Sequence, residues 1–222
     1  TVQGGSVQYV DRLQAALRRS GVAIRLGAAV RSVTRSGGAV QVRPEAGEAE
    51  HFDHVVFATH SDDSLRLLGD PSEAERKALG AITYQPNDVV LHADERMMPK
   101  NRKTWASWVY TEDAEARSDR IDLTYWMNSL QPIPMNDPHF VTLNTKRVIR
   151  EELIYDTVTM RHPVYDLAAL AAQGDVRAFN GTDNTWFCGA WMKNGFHEDE
   201  LSSAVDVVQA LRAKTAFRLA AE

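Results

Sequence analysis

Cysteine is almost absent from this chain of 222 residues, which contains Cys188 alone. One cysteine cannot form an internal disulfide, so we expect a protein of a reducing compartment, the cytoplasm. No apolar run reaches the roughly 18 residues that a membrane-spanning helix needs, so no transmembrane segment is expected. Basic residues are not in excess, since 25 Lys and Arg stand against 30 Asp and Glu, for a net charge of −5. Nucleic acid is therefore not an expected partner, because its phosphates favour a basic surface.

The glycine-rich turn G-x-G-x-x-G, which grips a dinucleotide pyrophosphate between a strand and a helix, is also missing. Gly4–Gly5 precedes a helix with no strand before it, and Gly37–Gly38 lies in a predicted hairpin turn. Potential metal ligands are scattered. His92 and His162 have no neighbouring ligand at metal-binding spacing, so no metal site is expected.

Hydrophobic periodicity assigns most of the first 80 residues. Val7, Val10, Leu13 and Leu17 recur at helical spacing and predict a helix over residues 6 to 19. β-Branched runs then predict short strands, and the last of these is continuously apolar, as in strands buried on both faces. The strands are Val22–Leu26, Val30–Arg35, Ala39–Arg43 and His54–Thr59, and short helices follow at Asp62–Leu68 and Ser72–Leu79.

The character of the sequence changes near residue 80. Aromatic-rich segments between turns that carry Pro, Asn and Asp are typical of a mainly antiparallel sheet with one buried face. These segments are Ile82–Tyr84, Asp88–Ala93, Thr104–Tyr110, Ile121–Asn128 and Phe140–Asn144, and a helix is predicted at Asp166–Gln173. We therefore expect three segments, 1–80, 81–180 and 181–222, in which the first and the last fold together as one α/β unit.

The most informative segment lies near the C-terminus. The strand-like run at Trp186–Phe187 ends at Gly189–Ala190, and a polar loop leads to Glu198, Asp199 and Glu200. Apolar positions then recur at helical spacing, at Leu201, Ala204, Val205, Val208 and Leu211, and predict a helix with one buried face. A strand, a glycine loop and a helix N-terminus together form a cradle of backbone N–H groups suited to a phosphate or an electron-rich heterocycle. The alternative is an ordinary strand-to-helix connection with acidic residues at the start of the helix.

Several segments together resemble the FAD-dependent amine oxidoreductase superfamily, and in particular its bacterial amine-oxidase-like members. The matching segments are Gly4–Gly5–Ser6, Phe52–His60, Thr124–Gln131, Trp186–Ala190 and Gly195–Asp199. The resemblance implies a mixed α/β and α+β fold: part of a two-dinucleotide-binding domain and a mainly antiparallel substrate-binding sheet domain. Segments 1–80 and 181–222 would belong to the FAD-binding domain, and 81–180 to the substrate domain. Because the glycine-rich turn is missing, we expect this chain to be the C-terminal part of a longer flavoprotein, inactive by itself.

The same resemblance implies the cofactor contacts. Val30 would contact the adenine end of FAD through its backbone, and Ala58 and Thr59 would lie near the ADP moiety. Gly189, Ala190, His197, Glu198, Asp199, Leu201 and Ser202 would form the contact with the ribityl chain and the flavin. In this interpretation His197 bonds the pyrophosphate or ribityl chain, and the backbone N–H groups near Leu201 and Ser202 face the flavin pyrimidine edge. Glu200 departs from the family, which usually has glycine there, so this acidic side chain must point to solvent.

The substrate is expected to be a small apolar or amine compound. Tyr125, Trp126 and Asn128 are candidates for the substrate cavity, although strand aromatics more often serve sheet packing. Three functions stay open at this point. They are an FAD-dependent oxidoreductase that oxidises a C–N or C–C bond, a non-catalytic interaction or scaffold module of the same fold, and an NAD(P)-linked enzyme with two dinucleotide sites. No catalytic residue and no oligomeric state follow from the sequence.

Overall fold

A computed structural model of the chain describes residues 2–112 and 122–221. The chain divides into two compact units, of which unit 1 comprises Thr1–Ile24 and Pro86–His162, and unit 2 comprises Arg25–Gln85 and Pro163–Glu222. The described elements are, in chain order, helix α1 (Ser6–Arg19), strands β1 (Val30–Ser36), β2 (Ala39–Pro44), β3 (Glu50–Phe52) and β4 (Val55–Phe57), helices α2 (Ser61–Leu67) and α3 (Glu73–Ala81), strands β5 (Tyr84–His92), β6 (Trp108–Thr111) and β7 (Asp122–Trp126), helix α4 (Met127–Leu130), strands β8 (Phe140–Leu143) and β9 (Ile154–Pro163), helix α5 (Leu167–Phe179), strand β10 (Thr185–Phe187) and helix α6 (His197–Ala221).

Unit 2 joins the two ends of its sequence through a parallel strand pair. Strand β10 pairs with β4, with Phe187 in register with Phe57. The two rings stack at 5.4 Å, and Cys188 N donates to Phe57 O at 3.0 Å. This strand pair therefore joins residues of the segments 1–80 and 181–222. Strands β1, β2 and β3 form a separate three-stranded antiparallel sheet in this unit.

The core of unit 2 lies between these strands and helices α2, α3 and α5. Its buried members include Leu79 and Val176, both 0% exposed, and Trp191, 3% exposed. A buried ion pair fixes the β1 end of the hairpin on helix α3. Arg35 Nη2 donates to Glu75 Oε2 at 3.0 Å, and the two side chains are 8% and 7% exposed. Glu75 also completes the capping box at the N-terminus of α3 with Ser72.

Unit 1 is built on the five-stranded sheet, in the order β6-β7-β8-β5-β9. The pairs β6–β7, β7–β8 and β8–β5 are antiparallel, as the sequence predicts for this region. One sheet face carries the most deeply buried side chains of this sheet, and those at 0% exposure are His92, Thr124, Phe140 and Thr142. A line of hydrogen bonds crosses this face, with His92 Nε2 at 2.7 Å from Thr142 Oγ1 and Thr142 Oγ1 at 2.9 Å from Thr124 Oγ1.

Several predicted elements differ from the observed ones. Val22–Leu26 is not a strand, and the glycines on either side of it, Gly21 and Gly27, take positive φ angles. The third strand of the small sheet is β3 instead. The segment predicted as Thr104–Tyr110 becomes a strand only at Trp108, and that predicted as Ile121–Asn128 ends at Trp126, while Ile121 lies outside the described residues. Strand β9, which is exposed along most of its length, was not predicted.

The predicted helices form, but their buried faces are different. Helix α1 has no buried residue. In α6 Ser203 and Val207 are both 4% exposed, and Val207, together with the predicted positions Ala204 and Leu211, packs against Trp186 and Cys188. Leu201, Val205 and Val208 are 55%, 43% and 45% exposed, so the face predicted from their spacing was wrong for these three. Val56 in β4 is 46% exposed, which also corrects the expectation of a strand buried on both faces.

The segments expected from the sequence, 1–80, 81–180 and 181–222, and the compact units have different bounds. Helix α1 is grouped with the five-stranded sheet, and residues 163–180 are grouped with the parallel strand pair. The assignment of those segments to a cofactor domain and a substrate domain stays a prediction. No helix within the described ranges is long and apolar enough to cross a membrane.

The buried imidazole of His92 predicts a pH dependence of stability. Burial lowers the pKa of His92 from 6.5 to about 4, against the raising effect of Asp94. The unfolded chain therefore binds this proton more readily, and stability is lost as the pH falls from 6.5 toward 4. We expect a loss of about 2 kcal/mol from this group between about pH 7 and about pH 4.5.

Urea unfolding of the parent chain and of His92→Gln at both pH values measures this loss. His51→Gln, at an exposed position, is the matched control and should keep the parent's pH dependence. An unchanged pH dependence in His92→Gln would contradict the assignment.

Candidate functional site

The C-terminal ends of β4 and β10 lie side by side, because the strands are parallel and in register. In open parallel sheets this edge is where ligands bind. Ala58 and Thr59 continue from β4, and Gly189 and Ala190 continue from β10. The structure therefore brings these predicted cofactor residues together at one sheet edge. Val30 lies elsewhere in unit 2, as the first residue of β1 in the three-stranded sheet.

The loop that follows β10 depends on two glycines. Gly189 has φ 147°, and a Cβ there would lie 2.7 Å from the indole Nε1 of Trp191. Gly195 has φ 94°, and a Cβ there would lie 2.8 Å from the hydroxyl of Tyr165. Both positions therefore require glycine, for backbone conformation and for space. The bulky partners pack directly against the loop backbone.

Buried side chains fix this loop to the rest of unit 2. The indole N–H of Trp191 donates to Thr59 O at 3.0 Å and so connects the loop to the end of β4. Gln173 in α5, 6% exposed, donates from Nε2 to Trp191 O at 3.0 Å and to Lys193 O at 2.7 Å. Arg177 donates to Met192 O at 2.8 Å. The loop is therefore held in one conformation by contacts along its length.

Most N–H groups of the loop have acceptors within the loop or from α6. Gly189 N donates to Ser203 Oγ at 2.9 Å. The N–H groups of Met192, Lys193 and Gly195 donate to carbonyls of Gly189 and Ala190. Because α6 begins at His197, the N–H groups of His197, Glu198 and Asp199 belong to its first turn and have no acceptor within the helix. Within the described residues, these are the N–H groups left for a ligand at the helix N-terminus.

Asp199 has a structural role in this geometry. Its Oδ2 accepts from Phe196 N at 3.1 Å and from Asn194 N at 3.3 Å, so the carboxylate caps the helix and closes the loop. His197 is exposed at the first helical position. Of the two predicted side-chain contacts, His197 is therefore the one whose ring faces solvent at the cradle, and Asp199 is occupied by backbone.

The geometry also decides the roles expected for Leu201, Ser202 and Glu200. The N–H groups of Leu201 and Ser202 belong to the helix interior, where each donates to the carbonyl four residues earlier, so they do not face a ligand. The hydroxyl of Ser202 accepts from Lys193 Nζ. Glu200 is exposed, as a flavin site requires of an acidic residue at this position. Cys188 is 5% exposed, and burial, then Glu200, raises the pKa of its thiol, which fits the expected small buried apolar side chain.

The candidate substrate residues of unit 1 are separated in the structure: Tyr125 and Trp126 lie on opposite faces of β7, and Asn128 lies in helix α4. Trp126 lies on the packed face, with its ring 5.2 Å from Trp105 in an edge contact. Asn128 is 5% exposed and is occupied by the backbone of the following turn. Its Nδ2 donates to Pro134 O at 2.8 Å and to Asp137 O at 2.7 Å, and its Oδ1 accepts from His139 N at 2.8 Å. The ring of Trp126 and the amide of Asn128 therefore serve packing and the hydrogen bonding of the turn.

Tyr125 lies on the other face, which we call the open face. Tyr125 pairs with Trp108 on β6 and with Val141 on β8. The rings of Trp108 and Tyr125 meet edge to face at 6.1 Å, and Trp108 and Tyr110 are 54% and 64% exposed. Burial, then Tyr110, raises the pKa of Tyr125. The open face thus presents aromatic rings with little charge, which suits an apolar ligand.

Sequence reasoning missed three residues that position the cradle: Ser203, Gln173 and Trp191. Each is a polar group or a polar-tipped ring that is buried and bonded to backbone. The one available signal was their position within apolar surroundings, since a buried polar side chain is costly unless it is hydrogen-bonded.

One group of possible metal ligands occurs among the described residues. His60, Asp62 and Asp63 bring ligand atoms within 4.8 Å of one another. Asp63 already pairs with Arg66, and the group lies at the positive end of α2, so the surroundings oppose a cation. The expectation that the protein has no metal site stays a prediction.

Comparison with known proteins gives the family. The family model described as flavin containing amine oxidoreductase matches residues 1–161, so the chain belongs to this family. No curated protein matches the chain. The solved structures that it resembles include a putative protoporphyrinogen oxidase from Exiguobacterium sp. 255-15, with a TM-score of 0.70 and 13% identity over 96% of this chain and 52% of that one.

Two further structures show the same fold. A putrescine oxidase redesigned in its cofactor binding has a TM-score of 0.59 and 13% identity over 97% of this chain and 53% of that one. A CLA-producing fatty acid isomerase from P. acnes has a TM-score of 0.55 and 16% identity over 82% of this chain and 47% of that one. The chain thus spans about half the length of these structures. The predicted fold class is confirmed, and the family implies a flavin cofactor.

The capping contacts of Asp199 predict a stability difference between neighbouring substitutions. Asp199→Ala removes the acceptor for two backbone N–H groups, so we expect a loss of about 1 kcal/mol in the free energy of unfolding. His197→Ala removes an exposed side chain and should change stability by less than about 0.5 kcal/mol. Urea unfolding of both variants measures the difference. Asp199→Asn, which keeps an acceptor oxygen, should recover most of the loss; equal effects of both alanine substitutions would argue against the cap.

Proposed function

We propose that this chain supplies the cofactor cradle and the substrate sheet of an FAD-dependent oxidoreductase that oxidises a C–N or C–C bond by hydride transfer to flavin. The observation that carries the proposal is the start of α6. The N–H groups of His197, Glu198 and Asp199 lie in the first turn of α6, directly after the loop that leaves the parallel strand pair and is fixed by Trp191 and Gln173. An electron-rich or anionic group fits such a helix N-terminus.

The chain's own residues would act in three ways on the cofactor. The first-turn N–H groups of α6 would donate to the flavin pyrimidine edge or to a phosphate oxygen, and their dipole would stabilise negative charge there. His197 would add a side-chain contact, and the fixed loop would hold these donors without reorganisation. When bound, FAD supplies the two-electron acceptor, so the protein need provide mainly orientation and electrostatics. No described residue is assigned as a catalytic acid or base.

Unit 1 would bind the substrate on the open face. The rings of Trp108 and Tyr110 on β6 are exposed, and Tyr125 on β7 is paired with Trp108. This aromatic surface favours a small apolar compound, or an amine with an apolar body. Glu200, which departs from the family pattern, is exposed, so its charge lies in solvent and does not oppose a bound flavin. The cytoplasm remains the predicted location.

The missing glycine-rich turn predicts weak FAD retention by the 222-residue chain. We expect this chain to purify colourless and to lack oxidase activity by itself. Absorbance in the flavin region of the purified chain, before and after incubation with FAD and gel filtration, measures this. Stoichiometric retention of yellow FAD by the chain would show that its binding site is more complete than proposed.

Cofactor affinity separates the role of His197 from that of Asp199 in the native gene product that carries this sequence. Loss of a hydrogen bond to a charged group costs about 1.5–3 kcal/mol, so His197→Ala should weaken FAD binding by about ten- to hundredfold. Asp199→Asn, which keeps the cap, should retain FAD within about threefold of the parent. Flavin fluorescence on dilution measures both. An FAD affinity within about threefold for His197→Ala would remove His197 from the site, and absence of flavin from the native gene product would overturn the proposed function.

A further inference from the structure

A connected set of polar side chains links strands β5, β8 and β9 in unit 1. Asn87 lies within β5 and is only 7% exposed. Its amide contacts Asn144, which follows β8, and His162, near the end of β9. A buried amide within a strand is costly unless its hydrogen bonds are made, and an apolar side chain there would pack without that requirement. The position therefore calls for an explanation beyond packing.

The direction of each hydrogen bond in this set is fixed by a backbone group. Asp88 N can only donate, and it donates to Asn144 Oδ1 at 3.0 Å, so the Asn144 amide has one possible orientation. Asn144 Nδ2 therefore donates to Asn87 Oδ1 at 2.8 Å, which fixes the Asn87 amide in turn. Asn87 Nδ2 then faces His162 Nδ1 at 2.8 Å, and this ring nitrogen must accept.

The backbone holds the first member of the set in place. Asn144 has φ 55°, a left-handed conformation that asparagine tolerates better than most residues. In this conformation its own N–H donates to Asp88 O at 2.8 Å. Asn144 and Asp88 thus exchange hydrogen bonds through both backbone and side chain. The backbone bond holds Asn144 beside Asp88, and the bond from Asp88 N to Oδ1 orients the Asn144 amide.

A neutral imidazole that accepts at Nδ1 carries its proton on Nε2. His162 is exposed, so this Nε2–H donor is at the protein surface. Val158, Met160 and His162 are spaced two residues apart on β9, so their side chains lie on the same face of the sheet. Val158 and Met160 are 45% and 52% exposed. The donor thus stands beside exposed apolar side chains.

The register of the sheet relates Asn87 to the open face. Asn87, Val89 and Leu91 are spaced two residues apart on β5, so their side chains lie on the same face of the sheet. Leu91 is paired with Val141 on β8. Val141 is in turn paired with Tyr125 on β7. Asn87 therefore belongs to the same sheet face as Tyr125, the face on which Trp108 is exposed.

We propose that His162 binds an oxygen acceptor, a carbonyl or a carboxylate, of an apolar or aromatic ligand that lies on the open face. The hydrogen-bond direction set by Asp88, Asn144 and Asn87 makes His162 a donor, so an ammonium group, which only donates, is not accommodated there. The assignment of that ligand as a substrate rests on the proposed function, whereas the donor itself does not.

The tautomer of His162 is the direct test on the 222-residue chain. In long-range ¹H–¹⁵N NMR spectra at about pH 9, where an ordinary histidine is neutral, His162 should be almost entirely the Nε2–H form. Asn87→Asp replaces the amide donor by an acceptor of the same shape, so the ring should change to the Nδ1–H form. His92, whose Nδ1 accepts from Asp94 N at 3.0 Å, is the internal control and should not change. A His162 tautomer that is mixed in the parent, or the same in Asn87→Asp, would overturn the proposal.

Two probes test the ligand chemistry, with binding followed at the backbone amide resonances of β9, which are present in the parent and in every variant. Phenylacetamide carries an aromatic ring and a carbonyl acceptor, and phenethylamine carries the same ring and, at about pH 8, an ammonium. We expect the parent to bind phenylacetamide at least about threefold more tightly, the range of one neutral hydrogen bond. His162→Leu should remove this preference, and His162→Gln, which keeps an amide donor, should restore part of it. Equal binding of the two probes by the parent, or no shift with either, would overturn the ligand assignment.

These outcomes are independent of the flavin. If the native gene product lacks FAD while the tautomer reverses and phenylacetamide is preferred, the oxidoreductase proposal fails and the His162 site stands. If FAD binds and the tautomer does not reverse, the oxidoreductase proposal stands and the His162 site fails.

Discussion

The pairing of β4 with β10 is the contact on which unit 2 depends. Each strand contributes three residues, and the two segments are brought together from distant parts of the chain. Because the strands are parallel, both loops that leave them emerge at the same edge. Stacking of Phe57 on Phe187 and the bond from Cys188 N to Phe57 O fix the register there. Without this register, Thr59 and Trp191 would not meet and the loop before α6 would lose its main support.

Satisfaction of backbone donors determines what the cradle can offer a ligand. A glycine-rich loop suggests many free N–H groups, but in unit 2 the loop uses its own carbonyls, Ser203 and Asp199 as acceptors. The donors that remain are those that no helix can satisfy internally, in the first turn of α6. The site is therefore narrower and more rigid than the loop sequence suggests, and rigidity of this kind favours electrostatic stabilisation of a bound anion.

Unit 1 uses polar side chains differently on its two sheet faces. On the packed face, His92, Thr142 and Thr124 satisfy one another in a fully buried line, and neutral His92 is the form that this burial stabilises. Near the other end of β5, the bond from Asp88 N fixes the Asn144 amide, and Asn144 fixes the Asn87 amide. Asn87 Nδ2 therefore donates to Nδ1 of the exposed His162. Buried polar groups in the first case stabilise the sheet, and in the second they orient a group that solvent can reach.

The sequence by itself indicated most of the helices and strands and the resemblance to the family, because these follow from local periodicity and from motifs. Glycines at Gly189 and Gly195 also indicated where the backbone turns. Only the tertiary structure decided which candidate site residues are used in hydrogen bonding or packing and which are accessible to a ligand. Asp199 is occupied by backbone and His197 is not, and Tyr125 lies on the open face whereas Trp126 and Asn128 are packed. Such assignments depend on hydrogen-bond partners and neighbours that are distant in sequence, and periodicity carries no information about them.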